Sequence, residues 1–205
     1  MPQAPIGEPL ALDKRTDFLE LKAKGEKVVF RLVGAGVYDG KHFIQEGDKW
    51  QVTYCPRIMD KQTCDKCEQF FELTEGLKDL KEGKSPEAEV KEMEKLVRKF
   101  RPTIRFYYPV INRETHKAQI LKTSLSVRLK IEDYHNAGVD VFGSDFVLTR
   151  TEKPGVDYYA LIRKDSKDTE ALTDDEQQES MKATAWNLEE MVISKKSNAE
   201  FKEEK

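Results

Sequence analysis

Hydrophobic and polar residues alternate along several stretches of the chain, which is the pattern of half-buried β-strands. Seven strand-like pieces lie at residues 27–33, 41–45, 49–54, 103–111, 118–121, 146–151 and 156–162. Turn residues separate three consecutive pairs of these pieces, the last pair by Lys153-Pro154-Gly155. The pattern therefore predicts β-hairpins, with the strand at residues 27–33 preceding them.

Apolar residues three or four positions apart predict helices elsewhere. Residues 68–84 are typical of a first helix, and Ser85 as N-cap with Pro86 at the first helical position predicts a second one running to residue 100. A third helix is predicted over residues 124–136, just before Gly138. Shorter elements are predicted at residues 18–24, as a turn or helix, and at 181–193, as an amphipathic helix.

These elements favour a mainly β fold with helices, and specifically an OB-fold, a five-stranded Greek-key barrel. A helix before the final hairpin fits that fold, although an α+β sandwich gives similar counts of elements. We expect a flexible N-terminal segment at residues 1–24 and an OB-fold core at 25–164. A zinc-binding and helical insertion is expected at about 42–100, and an acidic C-terminal tail at 165–205.

Charge is distributed unevenly along the chain. Residues 165–205 contain 12 acidic and 6 basic residues, so their net charge is -6, whereas the whole chain has 35 basic and 38 acidic residues and a net charge of -3. The remaining residues therefore hold 29 bases and 26 acids, a net charge of +3. A basic body with an acidic tail fits a nucleic-acid-binding protein, and a solvated tail without a role is the alternative.

No secretory signal or membrane-spanning run of apolar residues is visible in the sequence. We therefore expect the protein in the cytoplasm, where thiols stay reduced and cysteines are better suited to metal binding than to disulfides.

Three cysteines and a histidine form the strongest chemical signal in the chain. Cys64 and Cys67 form a C-x2-C knuckle, Cys55 lies nine positions earlier, and His42 lies on the preceding strand, where hairpin pairing brings it back toward Cys55. His116 and His135 are the alternative histidines. Four nitrogen and sulfur ligands predict a tetrahedral Zn²⁺ that is structural, since no position remains open for a reacting water.

Basic and aromatic residues are interleaved at residues 98–108, with four bases and four aromatics in eleven residues. Proteins that bind single-stranded nucleic acids combine a basic groove with aromatic rings on which bases stack. Strand alternation predicts that Arg105 and Tyr107 point outward, on the face opposite Phe106. The full set of candidate DNA-binding residues is Lys49, Trp50, Arg98, Lys99, Arg101, Arg105, Tyr107, Lys122, Tyr158, Tyr159, Arg163 and Lys164. For each of them, an ordinary core or surface position is the alternative.

No glycine-rich phosphate loop, nucleophile elbow or convincing carboxylate pair occurs in the sequence. We therefore expect a binding protein and not an enzyme. A zinc-stabilised adaptor that recruits other proteins is the second hypothesis, motivated by the insertion and the acidic tail.

The spacing H-x12-C-x8-C-x2-C, the basic-aromatic strand and the segment GSDFVLTRTEKPGVDYY together resemble the helix-destabilising single-stranded DNA-binding proteins of tailed bacteriophages. The resemblance covers roughly residues 25–165. It implies an OB-fold with a zinc subdomain whose ligands are His42, Cys55, Cys64 and Cys67. It also implies phosphate and base contacts from the strand at residues 98–107 and base stacking near Tyr158 and Tyr159.

By the same resemblance, the protein coats single strands during phage DNA replication, recombination and repair in the host cytoplasm. An N-terminal segment would support self-association on DNA, and the acidic tail would recruit replication proteins.

Overall fold

The computed structural model describes residues 18–46, 49–153 and 156–192, with the backbone alone for the described residues among 45–50 and 152–158. The chain divides into two compact units. Among the described residues, the first unit contains those within 18–37 and 106–191, and the second contains those within 38–105 together with Val192. The insertion expected from the sequence at about 42–100 falls inside the second unit.

The described residues form a mixed α/β fold, with more helix than the expected mainly β class. The strands are β1 Phe18–Leu19, β2 Lys27–Leu32, β3 Val37–Glu46, β4 Lys49–Tyr54, β5 Pro102–Asn112, β6 Lys117–Thr123, β7 Asp145–Lys153 and β8 Val156–Arg163. The helices are α1 Pro56–Met59, α2 Asp65–Glu82, α3 Glu87–Phe100, α4 Leu125–Asn136, α5 Asp174–Thr184 and α6 Leu188–Val192, with a 3-10 turn at Ser166–Asp168.

The sheet of the first unit runs in the order β1-β6-β5-β2-β7-β8, and β3 pairs with β4 and β5 off this path. β2 lies in the middle, since Phe30 is paired with Asn112 of β5 on one side and with Phe146 of β7 on the other. All the pairs are antiparallel except the one between β1 and β6.

The sheet is open within the described residues, and the closed five-stranded barrel that we expected is not seen there. β8 pairs with β7 at one edge, and at the other edge β1 covers only Ile120 and Leu121 of β6. No described pairing joins these two edges, so the ladder does not close on itself.

One face of the sheet carries the hydrophobic core of the first unit. Val28, Phe30 and Leu32 alternate along β2 toward this face, and α4 adds Val127 and Ile131. Complete burial of such side chains stabilises the fold by about 1.5–3 kcal/mol each.

The opposite face of the sheet is covered in part by α5, which packs on β6. Glu179 of α5 accepts a hydrogen bond from the Ala118 backbone N–H at 3.3 Å. Ala183 and Leu188 are buried, while Met181 is 65% exposed. The expected acidic tail is therefore partly folded. In place of one helix at 181–193, the structure has the end of α5, which begins at Asp174, and the separate short helix α6, which begins at Leu188. A capping box formed by Thr173 and Glu176 starts α5.

Glu176 of α5 is completely buried, at 0% exposure, and is the centre of a polar cluster. Its carboxylate accepts hydrogen bonds from Arg113, from His116 Nδ1 at 2.9 Å and from the Thr173 backbone N–H at 2.9 Å. Arg113 also pairs with buried Asp145, Nε to Oδ2 at 3.4 Å. This cluster fixes α5 to the turn between β5 and β6.

Two local predictions were wrong. Phe18 and Leu19, expected at the start of a turn or helix over residues 18–24, form a strand instead, because they pair with β6. Pro86 is the N-cap of α3, with φ -53° and ψ 139°, and no side chain caps that helix, so Ser85 is not the N-cap. Among the described residues, no helix is long and apolar enough to cross a membrane.

Candidate metal centre

The β3–β4 hairpin brings His42 and Cys55 to the same face. His42 lies opposite Thr53, and the Cys55 backbone N–H donates to the Gly40 carbonyl at 2.9 Å, which extends the pairing one position beyond Lys41 and Tyr54. Gly40 has to be glycine, because a Cβ there would lie 2.5 Å from Ile58 Cγ2. The pairing that the sequence suggested between these strands is therefore what places the two ligands together.

The C-x2-C knuckle lies at the start of α2. Cys64 is the N-cap residue and Cys67 lies in the first turn, where the helix dipole favours thiolates. Lys66, between them, donates from Nζ to Thr53 Oγ1 at 2.8 Å. This hydrogen bond holds the knuckle against the hairpin, at the residue paired with His42.

The four side chains form one compact, buried cluster. Their ligand atoms all lie within 4.8 Å of one another, and none of the four residues is more than 7% exposed. His42 Nε2 lies 3.5 Å from Cys64 Sγ and 3.5 Å from Cys67 Sγ, and Cys55 Sγ lies 3.4 Å from Cys67 Sγ. The grouping predicted from the sequence is confirmed.

These separations fit a tetrahedral metal site. Metal–sulfur bonds of about 2.3 Å and metal–nitrogen bonds of about 2.05 Å give ligand separations of about 3.5 Å for N–S and about 3.8 Å for S–S. The shortest sulfur–sulfur separation is far beyond the roughly 2.05 Å of a disulfide. The residues therefore fit a single metal ion at their centre.

A hydrogen bond outside the cluster selects the tautomer of His42. Nδ1 lies 2.9 Å from the Phe100 carbonyl oxygen, which can only accept, so Nδ1 carries the proton. Nε2 then directs its lone pair toward the thiols. A ligand histidine with its second nitrogen bonded to a carbonyl is the usual arrangement in metal sites.

Burial controls the protonation of the ligands. It raises the pKa of Cys55, raises the pKa of Cys67 to about 12, and lowers the pKa of His42. At neutral pH the thiols of Cys55 and Cys67 are therefore protonated and the imidazole of His42 is neutral. A divalent cation would supply the positive charge that thiolates need in this buried place, and its binding would release protons.

The alternative histidines lie elsewhere. His116 is in the first unit and bonds Glu176, and His135 is exposed near the end of α4. Within the described residues, the metal-ligand set therefore contains His42.

The candidate DNA-binding residues are divided between the two units. In the second unit, Arg98, Arg101 and Arg105 are exposed, and the Lys99 ammonium lies 5.7 Å from the centre of the Phe100 ring. The side chains of Lys49 and Trp50 lie outside the described part of the structure, as does that of Tyr158 in the first unit.

Tyr107 does not point outward as strand alternation predicted. It is 7% exposed, and Phe18 of β1 covers it edge-on with ring centres 6.4 Å apart. Lys122, directly opposite Tyr107 on β6, is exposed. The prediction failed because Phe18 and the sheet bury the face that alternation left open.

The remaining candidates lie near the β7–β8 hairpin of the first unit. Tyr159 is half-buried and packs against the hydrophobic core. Arg163 and Lys164 are also half-buried, and Lys164 lines a cleft that includes His116. The structure therefore supports a packing role for Tyr159, which was the alternative to base stacking.

Phe43 was missed by the sequence-based selection. It is 40% exposed on β3, next to His42, and Tyr38 on the same strand is equally exposed. Strand alternation contained this signal, because an inward His42 requires its neighbour Phe43 to point outward.

Comparisons with known proteins found no family model and no curated protein that matches the chain.

Proposed function

We propose that the cluster holds Zn²⁺ as a structural ion. Three thiolates and one imidazole in a tetrahedral arrangement are the ligands that zinc prefers over harder cations. Four protein ligands complete the coordination of the ion, so its role would be to stabilise the second unit. No coordination position would remain for a substrate or a reacting water, so this site would not be catalytic.

The proposed activity of the protein is binding of single-stranded DNA. The observation that carries it is the exposed basic segment at residues 98–105, which spans the end of α3 where the Phe100 carbonyl contacts His42. The side chains of Arg98, Arg101 and Arg105 are exposed, and Arg98 has the Glu94 carboxylate as a charged neighbour, since its charge helps to lower the pKa of Glu94. Exposed cations close together along the chain suit a phosphate backbone, because neutralisation of the phosphates releases counterions and supplies affinity that is independent of sequence.

Exposed aromatic rings in the same unit suit unpaired bases. Phe43 and Tyr38 present rings at the surface of β3. Stacking on such rings is worth about 1–3 kcal/mol per base and requires unpaired bases, which favours single strands over duplexes. With Tyr107 buried, these two residues replace it as stacking candidates.

The OB-fold interpretation is part of the proposal. The five neighbouring strands β6-β5-β2-β7-β8 are arranged with α4 between β6 and β7 in the chain, which is the position of the helix in that fold. Membership of the phage helix-destabilising family follows as a proposal, with roles in DNA replication, recombination and repair, self-association on DNA and recruitment of replication proteins.

A fluorescence titration tests the activity directly. We expect oligo-dT to bind more tightly than a duplex of equal length, with affinity that falls steeply as salt rises. The triple substitution Arg98→Gln, Arg101→Gln and Arg105→Gln should weaken binding at least tenfold and reduce the salt slope by about 2, since each single-strand phosphate contact contributes about 0.7.

Lys95→Gln is the matched control, because Lys95 is an exposed cation of α3 outside the basic segment. It should leave oligo-dT affinity within about twofold. Equal or tighter binding of the duplex by the unmodified protein would refute the proposed function.

A second function, protein recruitment, is favoured by one specific observation. Phe71 of α2 and Leu96 of α3 are each 43% exposed on the helical hairpin of the second unit. An adaptor would show no oligo-dT affinity at physiological salt, and its partner binding would be lost in Phe71→Ser with metal content unchanged.

A further inference from the structure

The metal ligand His42 also contacts the end of a helix. Phe100 is the last residue of α3, and the final four carbonyls of an α-helix have no partner within the helix. His42 Nδ1–H donates to the Phe100 carbonyl at 2.9 Å and so satisfies one of them. Arg101, the next residue, has φ -58° and ψ 124°, so the helix stops there and the extended chain of β5 begins.

The two nitrogens of this ring are chemically coupled. A neutral imidazole carries its proton on one nitrogen at a time, and only the Nδ1–H tautomer can donate to Phe100 while Nε2 faces the thiols. A metal ion bound to Nε2 fixes that tautomer and the ring orientation. Without the ion, the Nε2–H tautomer becomes available, and it leaves the Phe100 carbonyl without its donor.

The basic segment lies on both sides of this contact. Arg98 and Lys99 occupy the last turn of α3, and Arg101 and Arg105 follow it. The backbone at Phe100 and Arg101, where the helix ends, therefore determines how Arg98 and Lys99 are oriented relative to Arg101 and Arg105.

We propose that His42 is a positioning residue as well as a metal ligand, and that its Nδ1–H holds the basic segment at residues 98–105 in its binding arrangement when the metal is bound. Metal occupancy then controls affinity for the phosphate backbone through the end of α3. The effect on DNA rests on the proposed function, whereas the effect on the segment does not.

A pair of ligand exchanges separates metal binding from the hydrogen bond. His42→Cys gives a four-cysteine set that can still hold zinc but has no donor for Phe100. Cys64→His, the matched control, changes the ligand set to two histidines and two cysteines and keeps the hydrogen bond. Zinc content, amide hydrogen exchange of residues 98–105 and oligo-dT affinity are measured for both full-length variants and for the unmodified protein.

We expect His42→Cys to retain one zinc ion, to exchange amides of the segment at least tenfold faster and to bind oligo-dT at least fivefold more weakly. Cys64→His should stay within about twofold of the unmodified protein in both measurements. Zinc-loaded His42→Cys with unchanged exchange and unchanged affinity would overturn the coupling.

If His42→Cys does not hold zinc, the coupling between the metal and the basic segment is tested in the unmodified protein. Removal of zinc by a chelator should accelerate exchange at residues 98–105 and shift the ¹⁵N resonances of His42 away from the Nδ1–H pattern, with residues 174–184 of the first unit unchanged. Unchanged exchange at residues 98–105 would again overturn the coupling. A protein that shows these changes but ignores oligo-dT would retain the coupling and lose the proposed function.

Discussion

Removal of the charge of Glu176 tests how α5 is held on the sheet. Glu176→Gln keeps the size of the side chain and the capping box, since glutamine also accepts from the N-cap backbone. The single oxygen of glutamine can keep the hydrogen bonds from Arg113 and the Thr173 N–H, while its NH2 faces His116 Nδ1, which then has to accept. The substitution therefore removes the negative charge of a fully buried carboxylate with little change in side-chain size.

The structure sets the expected magnitude. Removal of one partner of a buried ion pair costs about 3–5 kcal/mol when the other charge is left uncompensated. Arg113 keeps Asp145 at 3.4 Å and the Glu170 carbonyl at 3.3 Å, so its charge is partly compensated. We therefore expect about 2–3 kcal/mol of destabilisation, somewhat below the range for an isolated pair.

Glu176→Ala should cost more than Glu176→Gln. It also removes the capping interaction, which contributes about 1 kcal/mol.

Urea denaturation and amide exchange of residues 174–184 measure this effect. Asp175→Asn is the matched control, because it removes an exposed charge from the same helical turn and should change stability by less than about 0.5 kcal/mol. Equal stability of Glu176→Gln and Asp175→Asn at neutral pH would refute the electrostatic interpretation.

The pH dependence gives a second check. Burial acts to raise the pKa of Glu176, but the hydrogen bonds from Thr173 and His116 and the charge of Arg113 outweigh it and lower the pKa. A lowered pKa stabilises the folded state above the unfolded value of about 4.3, and this contribution is lost as pH falls through the folded pKa. The difference between the unmodified protein and Glu176→Gln should therefore vanish in acid.

Further predictions concern the metal and two glycines. Cys67→Ser should abolish stoichiometric zinc binding and accelerate amide exchange throughout residues 42–67, because metal binding contributes to folding; full protection without bound metal would contradict this. Zinc titration at pH 7 should release at least two protons per ion, since burial raises the pKa of Cys55 and of Cys67 and both thiols must ionise to bind the ion. Apparent affinity should therefore fall as pH falls, and a pH-independent affinity would be incompatible with thiol ligands. Gly36→Ala should destabilise the first unit by about 1–3 kcal/mol in urea melts, because the new Cβ would lie 2.8 Å from the Tyr107 carbonyl oxygen. Gly76→Ala has only Met93 Cε nearby, at 3.8 Å, and should stabilise α2 by about 0.5–1 kcal/mol. The reverse order of stabilities would show that the structure relaxes freely around a Cβ at residue 36.

The metal cluster could be predicted because its information is local. The C-x2-C knuckle fixes two ligands by spacing, and the alternation of β3 and β4 carries His42 to the face of Cys55. The strands and the main helices were predictable for the same reason, since periodicity and turn residues act over a few positions.

The burial of Tyr107 could not be predicted from a local pattern. Its own strand leaves it on the outward face, and only the parallel pairing of β1 with β6 brings Phe18 over it. The open edge of the sheet likewise depends on which distant strands pair with each other. Alternation of residues within one strand does not predict that pairing.

The sequence by itself determined the ligand set, the basic segment at residues 98–105 and most of the elements, because each depends on residue type and spacing over a short stretch. The tertiary structure decided what those stretches face: it buried Tyr107 and Glu176, and it placed the imidazole of His42 between the thiols and the end of α3. Burial and long-range hydrogen bonds depend on which segments pack together, and a local pattern does not contain that information.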